Sequence, residues 1–204
     1  MERIIFDFAY ITMTSKELLI ELRAITERNI DLLRESFNNL SEQQKRWKKD
    51  TTSWSILEVF AHLNAFANYY HPVFAKRIET TRFREPKDIF ISSPLGKSAW
   101  KSMKLGNAKN VKRRMKSLKS FNPTFESNLI NGADIEVFEK DQLQLLNILT
   151  NAEEVNLRKV KVPISISQMI RLRLGDALQY VIYHNERHLQ QALNIIDNKS
   201  FPKN

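Results

Sequence analysis

The stretch Trp54-Ser-Ile-Leu-Glu-Val-Phe-Ala-His-Leu-Asn-Ala-Phe-Ala-Asn-Tyr-Tyr70 has the clearest helix start in the sequence. Ser55 is placed to cap a helix and Glu58 follows three residues later, which is the capping-box pattern. Apolar residues then recur at the helical period, which predicts one broad buried face. Pro72 lacks a backbone donor, so we expect the helix to bend or pause near Tyr70–His71.

Further amphipathic helices are predicted on both sides of this stretch, from apolar spacing and start signals. They cover residues 14–38, a short turn at 41–44, a helix from about 134 to 157, and a last helix from about 175 to 196. Between the last two, Val160 to Ile166 alternates apolar and polar residues and is typical of an extended segment. We expect no strand pairing there, because a lone strand has no partner.

The composition agrees with a helical protein. The 204 residues include only 4 Gly and 6 Pro, 42% are hydrophobic and 27% are charged, which favours a globular chain with few turns. We therefore predict an all-α four-helix bundle with a long crossover connection. A single domain is expected over residues 1–204, with its core roughly at 14–80 and 130–197. Residues 81–130 form the connection, with a short helix at 108–119.

Positive charge is concentrated in that connection. Residues 76–119 hold 14 Lys and Arg against three acids, which leaves 18 basic and 20 acidic residues in the rest of the chain. Nucleic-acid surfaces usually interleave such charges with aromatic residues or place them on a recognition helix. This segment shows neither pattern, so a solvated basic connection is favoured and no specific nucleic acid is expected as a partner.

Several function classes are excluded. The chain has no cysteine, which rules out disulfides, iron–sulfur clusters, zinc fingers and cysteine nucleophiles. No Ser-His-Asp order, phosphate loop or dinucleotide fingerprint is present. No apolar run approaches membrane-spanning length, and residues 1–10 do not have the pattern of a signal peptide. We expect a cytoplasmic protein without a membrane partner, and we assign its aromatic residues to core packing.

Any metal must be held by carboxylates and by the four histidines. His184 and His188 are four residues apart on a predicted helix and therefore lie one turn apart on one face, as two ligands of a single ion do. His62 lies at the edge of its own apolar face, so a bundle interior can bring the three together. The alternative for His62 is a buried side chain bonded to a carbonyl. His71, beside Pro72, is expected at the surface or at a helix end and not as a ligand.

Two segments resemble a known family. Residues 54–63, and the segment His184-Asn-Glu-Arg-His-Leu-Gln-Gln191 with the lead-in Leu174-Gly-Asp176, are similar to the signature segments of the DinB-like (YfiT-like) superfamily of metal-dependent proteins. The resemblance covers roughly residues 40–80 and 130–197. It implies a four-helix bundle that binds one divalent ion, usually nickel or zinc, through His62, His184 and His188. It also implies low-molecular-weight-thiol transferases in some branches, homodimers in some members, and no DNA binding.

Three nitrogen ligands leave an ion with open coordination positions, which catalysis requires. Such an ion supports either hydrolysis of a small molecule or transfer of a thiol to one. The sequence does not decide between these two reactions, and it does not identify the substrate. Each ligand also needs an acceptor for its other ring nitrogen; Glu58 is one candidate for His62. Asn185, Gln190 and Gln191 are alternatives, and Arg187 reaches either a substrate anion or a surface acid. The opposing hypothesis is a non-catalytic metal- or ligand-binding bundle whose basic segment contacts an acidic partner.

Overall fold

The computed structural model describes residues 13–106 and 117–203. Within them the chain forms six α-helices and one two-stranded sheet. The elements are α1 (Ser15–Ser36), α2 (Glu42–Arg46), α3 (Ile56–Thr80), α4 (Pro94–Met103), α5 (Asp134–Ala152), β1 (Lys161–Ile164), β2 (Ser167–Arg173) and α6 (Leu174–Ile196).

The four long helices α1, α3, α5 and α6 form a bundle in which α1 and α3 each contact both α5 and α6. Cross-helix pairs give their directions: α3 runs parallel to α5, α1 runs parallel to α6, and the two pairs are antiparallel to each other. For α3 and α5 the pairs are Asn64–Asp134 and His71–Gln144, and for α1 and α6 they are Glu21–Tyr183 and Arg28–Glu186. The antiparallel relation is shown between α1 and α5 by Arg23–Thr150 and Arg34–Glu139, and between α3 and α6 by His62–His184 and Tyr70–Tyr180. The prediction of an all-α four-helix bundle is confirmed.

The parallel pair α3 and α5 explains the long crossover, because the chain must return along the bundle before α5 begins. Within this crossover α4 packs on α6. The Asp176 carboxylate accepts hydrogen bonds from the backbone and hydroxyl of Ser93, the N-cap of α4. Later in the crossover, a 3₁₀ turn at Lys119–Phe121 contacts α3. The predicted helix at 108–119 lies mostly outside the described residues; its last residues, 117–119, are not α-helical.

The structure departs from two predictions about local structure. α3 does not pause at Pro72 but runs from Ile56 to Thr80, with the proline ring exposed and Tyr70, His71 and Phe74 buried in the bundle. The extended segment after α5 also has a partner: β1 pairs with β2 as an antiparallel hairpin. The residues of β2 are mostly exposed and do not alternate clearly, so the apolar pattern that marks a strand is weak there.

No helix in the described part of the chain is long and apolar enough to cross a membrane.

Candidate metal centre

The bundle brings His62, His184 and His188 together between α3 and α6. The ring centroids are 5.0 Å apart for His62 and His184, 4.7 Å for His62 and His188, and 4.5 Å for His184 and His188. Each residue offers one nitrogen, and the three nitrogens lie within 4.8 Å of one another. The predicted cluster therefore exists as a group that could hold a metal ion.

Hydrogen bonds fix the orientation of two of these rings. Nδ1 of His62 donates to the carbonyl oxygen of Phe121 at 2.6 Å, and Nδ1 of His188 donates to Oε1 of Gln191 at 3.0 Å. A neutral imidazole that donates from Nδ1 keeps a lone pair on Nε2. Both rings therefore present Nε2 as a ligand atom, held in the way that outer-shell acceptors hold metal-ligating histidines.

The donor atoms also fit an ion in their spacing. Nε2 of His62 and Nε2 of His184 are 3.1 Å apart, close to the roughly 3.3 Å that separates two nitrogens bound tetrahedrally at about 2.0–2.1 Å from one zinc ion. Nδ1 of His184 is buried without a hydrogen-bond partner among the described residues. This set of three imidazoles matches the nitrogen ligands that zinc and nickel accept.

Burial keeps these histidines neutral. It lowers the pKa of His62 to about 4 and lowers the pKa values of His184 and His188 well below the ordinary value. His188, His62 and Arg187 lower the pKa of His184 further. The pKa of His188 is lowered by His62 and Arg187 and raised by its hydrogen bond to Gln191. Because only a neutral imidazole has a lone pair for a metal, the centre is in its ligand form at neutral pH.

One side of the centre is partly open. His62 and His184 are 4% and 5% exposed, whereas His188 is half-buried. Trp54 is also half-buried, with its ring centroid 5.1 Å from that of His62 and 6.2 Å from that of His188. Its indole Nε1 donates to the hydroxyl of Thr124 in the crossover at 3.0 Å. No fourth His or carboxylate joins the group within the described residues.

The prediction that Glu58 accepts a hydrogen bond from the second ring nitrogen of His62 is wrong. Glu58 accepts the backbone N–H of Ser55 at 2.7 Å and the ammonium of Lys48 at 2.6 Å, so its capping role prevails. The acceptor is the backbone carbonyl of Phe121, which has no sequence signature. Trp54, assigned to packing, also lies against the site; its position directly before the N-cap Ser55 of the helix that carries His62 was the available signal.

The remaining candidates have other surroundings. Gln191 is an acceptor, as anticipated, whereas Gln190 donates to Asn194 and Asn185 donates to Gln142. Arg187 is 8% exposed and therefore does not occupy a surface position.

The prediction for His71 is wrong in location. It is 1% exposed in the middle of α3, where its Nδ1 contacts Oε1 of Gln144 on α5. Its ring lies outside the three-histidine group.

Comparison with known families gives a match to the DinB superfamily over residues 25–192. The chain belongs to the DinB superfamily. The matched range contains all three histidines of the centre and the four bundle helices except for the first ten residues of α1 and the last four of α6. Searches among curated proteins and among solved structures gave no match. Membership in the superfamily and the three-histidine group are both compatible with metal binding.

Proposed function

We propose that this DinB superfamily member is a metal-dependent enzyme in which His62, His184 and His188 hold a divalent ion, zinc or nickel. The observation that carries the proposal is the set of three neutral imidazoles whose nitrogens converge on one point, two of them fixed by hydrogen bonds to Phe121 and Gln191. A structural zinc site has four protein ligands. This group has three in the described part of the chain, and its His188 side is partly exposed.

The reaction that this geometry supports best is transfer of a low-molecular-weight thiol to a small electrophile. A divalent ion bound there lowers the pKa of a thiol or a water molecule in an open coordination position. Attack by water gains from a nearby general base, but the carboxylate of Glu58 is held by Ser55 and Lys48. A thiol ionises near pH 8.5 by itself and needs no such base. Hydrolysis is the second candidate, because three nitrogen ligands also suit it.

In this proposal the residues of the chain have distinct roles. His62, His184 and His188 bind the ion, while Phe121 and Gln191 orient two of the rings. Trp54 and the half-buried edge of His188 form the open side, where the substrate approaches. The substrate is a small molecule, and neither a specific nucleic acid nor a membrane takes part.

Metal analysis of protein purified without a histidine tag tests the site. We expect about one equivalent of zinc or nickel in the wild type and a large loss in His188→Ala, with helix content preserved because alanine is a good helix former. His71→Ala is the control. It removes a buried histidine outside the group, so it is expected to keep its metal while losing stability. Equal metal content in the two variants would remove the basis of the proposal.

A second measurement separates the enzyme from a non-catalytic metal-binding bundle. Cobalt-substituted protein is mixed with cysteine, and an absorption band from sulfur bound to cobalt reports entry of the thiol into the centre. Loss of free thiol is then followed after addition of an alkyl halide. Binding of metal without the sulfur band, and without turnover of either the halide or an ester, favours the non-catalytic alternative.

A further inference from the structure

The crossover meets the metal centre in a tight turn over residues 118–126, which we call the crossover turn. Asn122 closes this turn from within. Its backbone carbonyl accepts hydrogen bonds from the backbone of Phe125 at 2.9 Å and of Glu126 at 3.0 Å. Its side-chain oxygen accepts from the backbone of Thr124 at 3.0 Å, the bond by which asparagine stabilises turns. These bonds fix the groups of the turn relative to one another.

The crossover turn is fastened at two points to α3 and the residue that precedes its N-cap. The carbonyl oxygen of Phe121 accepts from Nδ1 of His62 at 2.6 Å, and the hydroxyl of Thr124 accepts from Nε1 of Trp54 at 3.0 Å. Among residues 13–106 and 117–203 these are the two hydrogen bonds that join the turn to this helix start and to α3. The Phe121 ring adds an apolar contact, with its centroid 5.8 Å from that of Phe66.

The first attachment decides which nitrogen of His62 can bind an ion. A neutral imidazole carries one proton, and an acceptor at Nδ1 keeps the proton there and leaves a lone pair on Nε2. His62 is 4% exposed, so without the Phe121 carbonyl its Nδ1–H would be buried without a partner, which is unfavourable. The proton would then move to Nε2, where Nε2 of His184 lies 3.1 Å away as an acceptor. In that form His62 has no lone pair to offer at the centre.

The second attachment controls how firmly the first is held. Without the bond from Trp54 to Thr124, the crossover turn keeps one hydrogen bond to α3, and a segment held at one point samples more orientations than a segment held at two. Hydrogen bonds weaken steeply as their distance and angle depart from the optimum. The carbonyl of Phe121 would therefore lie against His62 for a smaller fraction of the time.

We propose that Thr124 is a positioning residue of the metal centre, which acts through Trp54 and Phe121 to keep Nε2 of His62 free for the ion. This inference rests on the proposed metal-dependent function. Neither Thr124 nor Trp54 belongs to the three-histidine group. Their hydrogen bond instead joins the start of α3 to the crossover, so an exposed threonine sets the protonation pattern of a buried ligand.

The first measurement uses metal-free protein. The ¹⁵N chemical shifts of an imidazole ring distinguish its protonated nitrogen from its unprotonated one. We expect His62 to carry its proton on Nδ1 in the wild type and in Thr124→Ser, which keeps the hydroxyl. Thr124→Val keeps the branched shape of the side chain but removes the acceptor, and we expect it to carry a measurable fraction of the His62 proton on Nε2.

The second measurement is zinc affinity, by competition with a chelator. We expect Thr124→Val to lower the affinity by about threefold to tenfold, as loss of one net hydrogen bond does, and Thr124→Ser to recover the wild-type value. Thr150→Val is the matched control. It removes another exposed threonine hydroxyl that joins two elements, where it accepts from Arg23 at 2.8 Å, and it should change neither the affinity nor the shifts of His62.

Trp54→Phe tests the route by which Thr124 acts. It keeps an aromatic ring beside the histidines and removes the Nε1–H donor. We expect a loss of zinc affinity similar to that in Thr124→Val and no further loss in the double variant, because the two changes break the same bond.

Three results would overturn the inference. They are an unchanged His62 proton position in Thr124→Val, an equal loss of zinc affinity in Thr150→Val, and additive losses in the double variant. A wild-type protein that binds no zinc would instead contradict the proposed function, and the ¹⁵N shifts of the metal-free protein would still decide whether Thr124 positions His62.

Discussion

Gln191 orients His188 through a single side-chain hydrogen bond, from Nδ1 of the ring to Oε1 of the amide. Replacing Gln191 with alanine removes the acceptor but leaves the three histidines of the proposed metal site. We expect metal affinity to fall by about tenfold, since loss of an outer-shell acceptor typically lowers affinity by about 10–100-fold. Competition titration with a chelator measures the change.

The conservative variant distinguishes orientation from general disturbance of α6. Gln191→Glu keeps an oxygen acceptor and is expected to recover most of the wild-type affinity. Gln190→Ala removes a neighbouring amide that bonds to Asn194 and should not affect the metal. Affinity that is unchanged in Gln191→Ala would show that the hydrogen bond does not position His188.

His71 makes the stability of the protein sensitive to acid. Burial lowers its pKa from 6.5 to about 4, so the unfolded chain takes up a proton at a higher pH than the folded chain does. The free energy of unfolding is therefore expected to fall as the pH drops from about 6.5 to about 4, by about 3 kcal/mol from this residue. Above pH 6.5 the contribution does not change with pH.

Urea denaturation of metal-free protein at pH 7 and pH 4.5 measures this effect. His71→Leu removes the titrating group and is expected to show a smaller fall between the two pH values than the wild type does. The three histidines of the centre titrate in both proteins, so the difference between them reports His71. Equal pH dependence in the two proteins would contradict the prediction.

At the level of single residues, the sequence predicted the cluster of three histidines and named Gln191 among the acceptors, but it did not predict the contacts with Phe121 and Trp54. The four-residue spacing of His184 and His188 is a local property of one helix, and His62 followed from its place at the edge of an apolar face. The contact of Phe121 with His62 depends on the path of the crossover, whereas Trp54 is positioned by the start of α3. A backbone carbonyl such as that of Phe121 can belong to any residue type, so no sequence pattern marks it.

Among the elements, the docking of α4 on α6 depends on a glycine. A Cβ atom at Gly96 would overlap the side chain of Asp176, which is fully buried and held by Ser93. Gly96→Ala is therefore expected to lower the free energy of unfolding by about 1–3 kcal/mol, the usual cost of overpacking. Urea denaturation measures it. Gly106→Ala is the control, since among residues 13–106 and 117–203, its chain neighbour aside, no atom lies within 4 Å of its Cβ position; a similar loss there would contradict the steric explanation.

Helix starts were predictable where a side chain caps its own helix. The capping boxes at Thr14, Ser41 and Ser55 are present in the structure, because each needs only residues three positions apart. α4 was missed although Ser93 caps it and Pro94 occupies its first turn, a recognised start signal. The hairpin of β1 and β2 and the continuity of α3 at Pro72 depend instead on burial against other elements, which local patterns do not report.

For the whole molecule, the uneven charge predicts a general attraction to polyanions. Residues 76–119 combine 14 basic residues with three acids but show no base-reading pattern. We expect weak binding to duplex DNA that falls steeply as salt is raised, with equal affinity for unrelated sequences. Fluorescence anisotropy with two duplexes at two salt concentrations measures this. Tight, sequence-selective binding at physiological salt would contradict it.

The contact between His62 and His184 joins residues 122 positions apart in the chain, and the contact of His62 with Phe121 spans 59 positions. Closing loops of this length costs conformational entropy, and the contacts offset this cost only once they have formed. An intermediate in which α6 has not docked on α3 therefore lacks the ligand group altogether. During synthesis the group cannot assemble until α6, which carries His184 and His188, has left the ribosome and packed on α3, so the three histidines come together only after these two distant helices have docked.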